Sequence, residues 1–268
     1  MAPRAAEAPS PVALRSPARL AFFDRVFTRF ARRHLRAVRL ARWGRPRLPS
    51  DGPVVVFANH PSWWDGMAVM LLWRRLLADR HLFVPMDAEA LNKYGFMRRL
   101  GVFGVEPGVR GAVGFLHVAA EVLASPDHLL WINAPGRFSD VRERPVPIAP
   151  GMSRLPELAP SATFLPLALE YTFWNERAPE MLGAFGEPIP AADFLAEPRE
   201  ARSERMAAAL AATLDRLAAD SIARDPALFE TLLDGQRGMG GVWQAWRRAG
   251  ALLRGQSFDP RHDQRMDA

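Results

Sequence analysis

The pattern of apolar and polar positions along the chain predicts strands that alternate with helices. Short β-branched or apolar runs, such as residues 54–57 and 128–133, are typical of strands buried in a parallel sheet. The predicted strands are 54–57, 81–85, 101–105, 128–133, 163–169 and 182–187, and the predicted helices are 17–42, 66–73, 88–99, 111–123, 194–224 and 243–253. This order predicts an α/β fold with a mostly parallel central sheet flanked by helices, preceded by an N-terminal amphipathic helical arm.

The predicted arm is the most basic part of the chain. The first 50 residues carry twelve arginines against two acidic residues, whereas the whole chain has a net charge of +6. Its apolar positions recur at helical spacing, and arginines occupy much of the remaining surface. The apolar positions are Leu20, Phe23, Phe27, Phe30, Ala31, His34 and Val38. An aromatic face with an arginine-rich flank predicts a helix that lies in a membrane interface.

Two other interpretations of the arm stay open at this point. The apolar face could pack on the protein core, which would leave the arginines solvated. Basic charge also suits nucleic acid, but the arm has no recognisable groove-reading motif, and we predict no nucleic-acid partner.

Composition excludes several classes of site. The chain has no cysteine, which rules out disulfides, thiolate metal ligands and a cysteine nucleophile. It contains no Walker loop, no G-x-G-x-x-G and no H-E-x-x-H. Because no apolar run approaches the roughly 18 residues that a spanning helix needs, we expect no transmembrane helix. The sequence also lacks the pattern of a signal peptide.

The candidate catalytic residues lie directly after the first β-branched run. His60 stands where that strand stops, and Asp65 lies in the first turn of the next predicted helix. Active sites of open α/β sheets form at such carboxyl ends of strands. A tight turn lets the carboxylate fold back onto the imidazole and make it a general base with a fixed tautomer. Alternatively, Asp65 only caps its helix. The nearby Ser62 lacks the G-x-S-x-G elbow of a serine hydrolase.

The segment N-H-x-x-x-x-D after a valine-rich strand resembles the first motif of the PlsC-type glycerolipid acyltransferases. By position, the resemblance assigns His60 as the base that deprotonates an acceptor hydroxyl and Asp65 as the residue that orients it. The hydroxyl then attacks an acyl thioester carried by coenzyme A or acyl carrier protein. The resemblance implies no bound cofactor and no metal, with acyl-CoA or acyl-ACP as co-substrate.

Later motifs of the family match less closely. The family usually has an arginine after the strand that ends at residue 105, but the chain has Glu106-Pro107 there, and the nearest arginine is Arg110. The family's Phe-Pro-Glu-Gly-Thr-Arg-Ser loop corresponds to residues 134–140, which retain Gly136 and place Arg137 one position early. We expect Arg110, Gly136 and Arg137 to bind substrate. The displaced guanidinium groups suggest a lipid acceptor other than a lysophosphatidate.

The resemblance covers about residues 50–190 and suggests a domain organisation. We predict a disordered N-terminus (1–12), a basic membrane-docking arm (13–49), an acyltransferase domain (50–256) and a loose tail (257–268). The expected protein is cytoplasmic and peripheral on the inner face of the cell membrane, where it meets a lipid acceptor and an acyl carrier. The alternative is a non-catalytic membrane-binding protein that retains this fold.

Overall fold

The computed structural model describes residues 9–49, 51–238 and 253–254, and in this part strands and helices alternate as the pattern predicts. The strands are β1 Ala37–Ala41, β2 Val54–Ala58, β3 His81–Asp87, β4 Val102–Val105, β5 His128–Asn133, β6 Thr163–Thr172, β7 Glu180–Phe185, β8 Ile189–Pro190 and β9 Phe229–Asp234. The helices are α1 Pro11–Leu14, α2 Pro17–His34, α3 Asp65–Leu76, α4 Ala88–Lys93, α5 Gly108–Val122, α6 Leu155–Leu158, α7 Ala191–Leu195 and α8 Arg199–Ala223.

The strands of the described residues form a single sheet in the order β4-β3-β5-β2-β6-β7-β1-β9, and β8 pairs with β6. Five of the eight strand pairings are parallel, which confirms the predicted mostly parallel α/β fold. Strand β2 lies between β5 and β6 and is parallel to both. The turn that follows β2 therefore opens at the middle of the sheet's carboxyl edge, where crevices of α/β sheets form.

The two faces of the sheet carry separate apolar cores. On β2, Val55 and Phe57 pack in one core with residues of α5 and α8. Val54 and Val56 point the other way and pack with residues of α2 and α3. This alternation follows from the two-residue period of a strand, and it explains why β2 is apolar at every position. No helix among the described residues is both long and apolar enough to cross a bilayer.

The helical prediction for residues 17–42 is wrong beyond His34. There α2 ends, and Ala37–Ala41 forms β1 between β7 and β9. Arg36 and Arg39 resembled the polar face of a continuing helix, but both are buried and paired with carboxylates. Their partners are Asp234 and Glu180, which the sequence gives no reason to place beside them.

Two further boundaries differ from prediction. Residues 194–224 were expected to form one helix, but α7 ends at Leu195 and α8 begins after Pro198, because proline is disfavoured inside a helix. The strand predicted at 182–187 is β7, and the unpredicted strands β8 and β9 follow it. The predicted helix at 243–253, except its last residue, and the predicted tail lie outside the described residues, as do residues 1–8.

Candidate active site

The turn after β2 brings His60 and Asp65 into direct contact. The Nδ1 atom of His60 and the Oδ2 atom of Asp65 lie 2.5 Å apart. Asp65, the first residue of α3, is completely buried, whereas the His60 side chain remains 20% exposed. A buried carboxylate on Nδ1 favours the tautomer with the proton on that nitrogen and leaves Nε2 as the basic atom.

The short turn itself fixes the carboxylate. The backbone N–H of Ser62 donates to Asp65 Oδ2 over 3.2 Å, and the N–H of Asp65 donates to the Ser62 carbonyl over 3.1 Å. The Ser62 hydroxyl accepts a hydrogen bond from the N–H of Trp64. Ser62 therefore shapes the turn, and its contacts give no support to a serine nucleophile. An acid at the first position of a helix is also favoured by the helix dipole.

The second oxygen of Asp65 is held by Tyr171. The Tyr171 hydroxyl donates to Asp65 Oδ1 over 2.8 Å, from the far end of β6. Burial, followed by the neighbouring Asp65 carboxylate, raises the pKa of Tyr171 well above its usual value. The hydroxyl is therefore protonated over the whole physiological range and donates to the carboxylate throughout it.

Two asparagines at strand ends are also part of the candidate site. The Asn59 side chain exchanges two hydrogen bonds of 2.8 Å with the backbone of Leu169, which ties the end of β2 to β6. Leu169 lies two residues before Tyr171. These two hydrogen bonds therefore fix how far the Tyr171 hydroxyl lies from Asp65. Asn133, at the end of β5, places its Nδ2 atom 3.2 Å from His60 Nδ1. Its buried Oδ1 has no hydrogen-bond partner in the described part of the chain.

The other side of the imidazole faces the loop after β5. The Ser139 N–H donates to the His60 carbonyl over 3.0 Å, which anchors the loop to the turn after β2. The Phe138 ring lies against the His60 ring, with 4.3 Å between their centroids. Within the described residues, His60 Nε2 has no hydrogen-bond partner, so this atom is available to a substrate hydroxyl.

The predicted substrate-binding residues occupy different places. Gly136 adopts a φ of +65°, a conformation that favours glycine, and its N–H closes a turn on the Asn133 carbonyl. Arg137 is exposed and forms an ion pair of 2.5 Å with Glu143. Arg110 is exposed in the first turn of α5. The strand before it, β4, is three strand spacings from β2, roughly 14 Å. A role of these three residues in substrate binding stays a prediction.

Sequence reasoning missed Tyr171, Asn133 and Phe138 as parts of the site. A signal existed for Asn133, because polar residues at the ends of neighbouring parallel strands meet at one edge, and Ala58 pairs with Asn133. No signal marked Tyr171, because the predicted strand stopped at Leu169 whereas β6 continues to Thr172.

More than half of the chain matches a known protein family. A family model described as Acyltransferase matches residues 23–170, which is more than half of the chain. The matched segment contains both His60 and Asp65 and ends one residue before Tyr171. A search of curated proteins gives no match. The resemblance seen in the sequence is thereby confirmed: the chain belongs to the Acyltransferase family, in the glycerolipid acyltransferase superfamily.

Proposed function

We propose that this protein is a membrane-associated acyltransferase that moves a fatty acyl chain from acyl-CoA or acyl-ACP to the hydroxyl of a lipid acceptor, with His60 as general base. Family membership supports acyl transfer in general. The single observation that carries the assignment of the base is the contact of 2.5 Å between His60 Nδ1 and the buried Asp65 carboxylate. It leaves Nε2 as a positioned base at the carboxyl edge of the sheet.

The proposed reaction proceeds in two steps. His60 Nε2 takes the proton of the acceptor hydroxyl while its oxygen attacks the thioester carbonyl, and a carbon–oxygen bond forms. The tetrahedral intermediate then expels the thiolate, the carbon–sulfur bond breaks, and the imidazolium returns the proton to sulfur. The Asp65 carboxylate stabilises the imidazolium between these steps. The products are an ester and the free thiol of the acyl carrier.

We assign substrate contacts to the loop after β5 and to α5. Gly136 keeps the loop backbone clear of a side chain, and Arg137 offers a guanidinium to an anionic group of the acyl carrier. Its pairing with Glu143 does not prevent this, because exposed ion pairs contribute only about 0–1 kcal/mol and can exchange partners. Arg110 is the second candidate for such a contact.

Helix α2 supports the proposed membrane partner, although through a different face from the one predicted. Leu20 and Ala31 are buried, and Phe23 and Phe27 pack against the protein. The face with these four residues therefore packs on the protein, as in the second interpretation of the arm. A second stripe stays outside, with Phe22 59%, Val26 41% and Phe30 36% exposed.

This exposed stripe, Phe22, Val26 and Phe30, recurs every four residues and is flanked by exposed arginines 25, 29 and 33. Apolar side chains between arginines suit the interface of an anionic membrane. The Phe30 ring lies 5.7 Å from the Trp64 ring, next to Asp65 in the chain. The Phe30 end of the stripe therefore lies beside the turn that carries Asp65. We place the protein in the cytoplasm, peripheral on the inner face of the cell membrane.

Catalytic substitutions test the proposed function. Purified protein is incubated with acyl-CoA or acyl-ACP and lipid vesicles, and thiol release and ester products are measured by mass spectrometry. We expect His60→Ala to lower turnover by about 10²–10⁴ without unfolding the protein, because the base is lost. Asp65→Asn should also lose activity, because an amide can favour the wrong tautomer. His117→Ala is the matched control, since His117 is exposed on α5.

Wild-type turnover by a folded His60→Ala variant would contradict the assignment of the base. If the wild type binds vesicles but transfers no acyl group from either donor, the non-catalytic membrane-binding alternative holds instead.

A further inference from the structure

The loop after β5 presents an aromatic ring, and no charged group, to the imidazole of His60. The Phe138 and His60 rings are tilted by 32° with their centroids 4.3 Å apart. The contact is held by the backbone, because the next residue, Ser139, donates its N–H to the His60 carbonyl. Phe138 is nevertheless 57% exposed, so much of its ring remains open to solvent beside the base.

The charged side chains of the same loop form ion pairs with one another. Arg137 pairs with Glu143 at 2.5 Å, and Arg142 pairs with Asp140 at 2.8 Å. The hydrogen bonds from Arg142 hold the pKa of Asp140 well below its usual value. An anion that approaches this loop therefore meets carboxylates as well as guanidinium groups.

The third arginine of residues 137–144 is matched as well. Arg144 pairs with Asp215 of α8 at 2.5 Å. Each arginine in this range thus has a carboxylate partner, and the loop presents no uncompensated positive charge.

Other exposed aromatic side chains come from the segments that build the site. Trp63, in the catalytic turn between His60 and Asp65, is 70% exposed. Phe173, two residues beyond Tyr171, is 62% exposed. Together with Phe138, these side chains add exposed apolar surface to the segments around the base. Tryptophan and phenylalanine in such positions suit contact with lipid chains.

We infer that the acceptor is a neutral lipid alcohol, with no phosphate next to the reacting hydroxyl, and that Phe138 selects it. This inference rests on the proposed function. A phosphate beside the hydroxyl would lose water against the uncharged Phe138 ring, and desolvation of a charge that gains no partner there is unfavourable. A glycerol or alkyl group next to the hydroxyl would instead pack on the ring. The transfer breaks the carbon–sulfur bond of the donor and yields a neutral ester and a free thiol.

A competition between two acceptors tests this inference. Vesicles contain 1-monooleoylglycerol and 1-oleoyl-lysophosphatidate at equal mole fraction, and the two differ only by the phosphate. With acyl-CoA as donor, we expect the wild type to form at least about tenfold more diacylglycerol than phosphatidate. We expect Phe138→Arg to narrow this ratio by about tenfold or more, because it places a cation beside the base.

A matched control separates charge from position. Ile222 is 81% exposed on α8, which packs on the opposite face of the sheet from α3. We expect Ile222→Arg to add the same charge and leave the ratio unchanged. Phe138→Ala is a second variant, in case the arginine disturbs the fold, and it should lower the yield of diacylglycerol and narrow the ratio without adding charge.

The outcomes distinguish the inference from the proposed function. If the wild type acylates lysophosphatidate as well as monooleoylglycerol, the protein is an acyltransferase but the inference is overturned. An unchanged ratio in folded Phe138→Arg and Phe138→Ala variants would remove Phe138 as the selecting residue. If neither acceptor is acylated and no thiol is released with either donor, the proposed function itself fails.

Discussion

Asp65 uses both of its oxygens inside the protein. Oδ2 faces His60 and the Ser62 N–H, while Oδ1 accepts the hydrogen bond from Tyr171. A buried carboxylate with all of these contacts cannot rotate without breaking one of them. The orientation of the imidazole is therefore set by a residue on another strand as well as by the catalytic turn. We propose that Tyr171 acts through Asp65 as a positioning residue.

Removal of the Tyr171 hydroxyl should lower kcat and leave KM unchanged. We expect Tyr171→Phe to reduce kcat by roughly tenfold or more, because a hydrogen bond to a charged group contributes about 1.5–3 kcal/mol. Tyr94→Phe is the matched control, since the chain has only two tyrosines and Tyr94 is exposed. Steady-state kinetics with both substrates varied decide the matter, and an unchanged kcat would show that the hydroxyl does not position the pair.

We also expect Tyr171→Phe to change how the stability of the protein falls at alkaline pH. The pKa of Tyr171 in the folded protein lies above its usual value of 10.0. Its contribution to stability is therefore complete below about pH 10 and is lost as the pH rises towards the folded-state pKa. Urea unfolding at pH 8 and pH 11 should show a smaller alkaline loss for Tyr171→Phe than for the wild type or Tyr94→Phe. Equal losses in all three proteins would contradict this.

The sequence predicts the part of the site that is local. His60 and Asp65 are five positions apart, and a strand end followed by a helix start is enough to bring them together. Tyr171 is 106 positions from Asp65, and its place depends on the pairing of β2 with β6 and on the length of β6. Side-chain pattern alone does not determine that pairing. The contact of Phe138 with His60 likewise depends on how the loop folds back over the turn.

At the scale of elements, helix α2 has two apolar faces. One apolar face packs against the protein, and the stripe of Phe22, Val26 and Phe30 remains outside between arginines. A single helical period in the sequence did not separate these faces, because phenylalanines 22, 23, 27 and 30 occur on both. The distinction became clear only when the neighbouring elements were in place.

The exposed stripe should contribute to membrane binding. We expect Phe22→Ser with Val26→Ser to weaken sedimentation with anionic vesicles by about tenfold or more, because burial of one such side chain contributes about 1.5–3 kcal/mol. High salt should weaken binding of the wild type, since exposed charges are screened. Val113→Ser with Ile222→Ser, on exposed positions of α5 and α8, is the control. Unchanged sedimentation of the α2 variant would exclude the stripe as the docking surface.

Strand β1 shows why the boundary of α2 could not be predicted. Every residue of Ala37–Ala41 is buried, so the strand has no alternation of apolar and exposed positions. Such a run cannot be distinguished from a buried helix by its period alone. Arg39 strengthened the helical interpretation, because an arginine with no visible partner is expected on an exposed face. Its partner, Glu180, is distant in the sequence.

The stability of the whole molecule should depend on this buried pair. Arg39 Nε and Glu180 Oε2 are 3.0 Å apart, and the two side chains are 2% and 1% exposed. We expect Arg39→Ala to lower the free energy of unfolding by about 3–5 kcal/mol, because it removes one side of a buried ion pair. Urea denaturation provides the measurement.

An exposed ion pair serves as the control for this prediction. Arg45 and Glu230 are 2.6 Å apart, with side chains that are 60% and 43% exposed. Arg45→Ala should therefore change the free energy of unfolding by only about 0–1 kcal/mol. If the Arg39 and Arg45 variants unfold alike, the buried pair does not support β1 in the way described.

The position of β1 also has a consequence for the order in which the protein can be assembled during translation. Ala37 is paired with Glu180 on one side and with Asp234 on the other. A nascent chain therefore carries β1 out of the ribosome early, but this strand has no neighbour until residue 180 has emerged and lacks its second neighbour until residue 234 follows. The central strands β2, β5 and β6 can pair sooner, because their partners are closer in the chain. The first strand of the described residues is thus one of the last to be enclosed by the sheet.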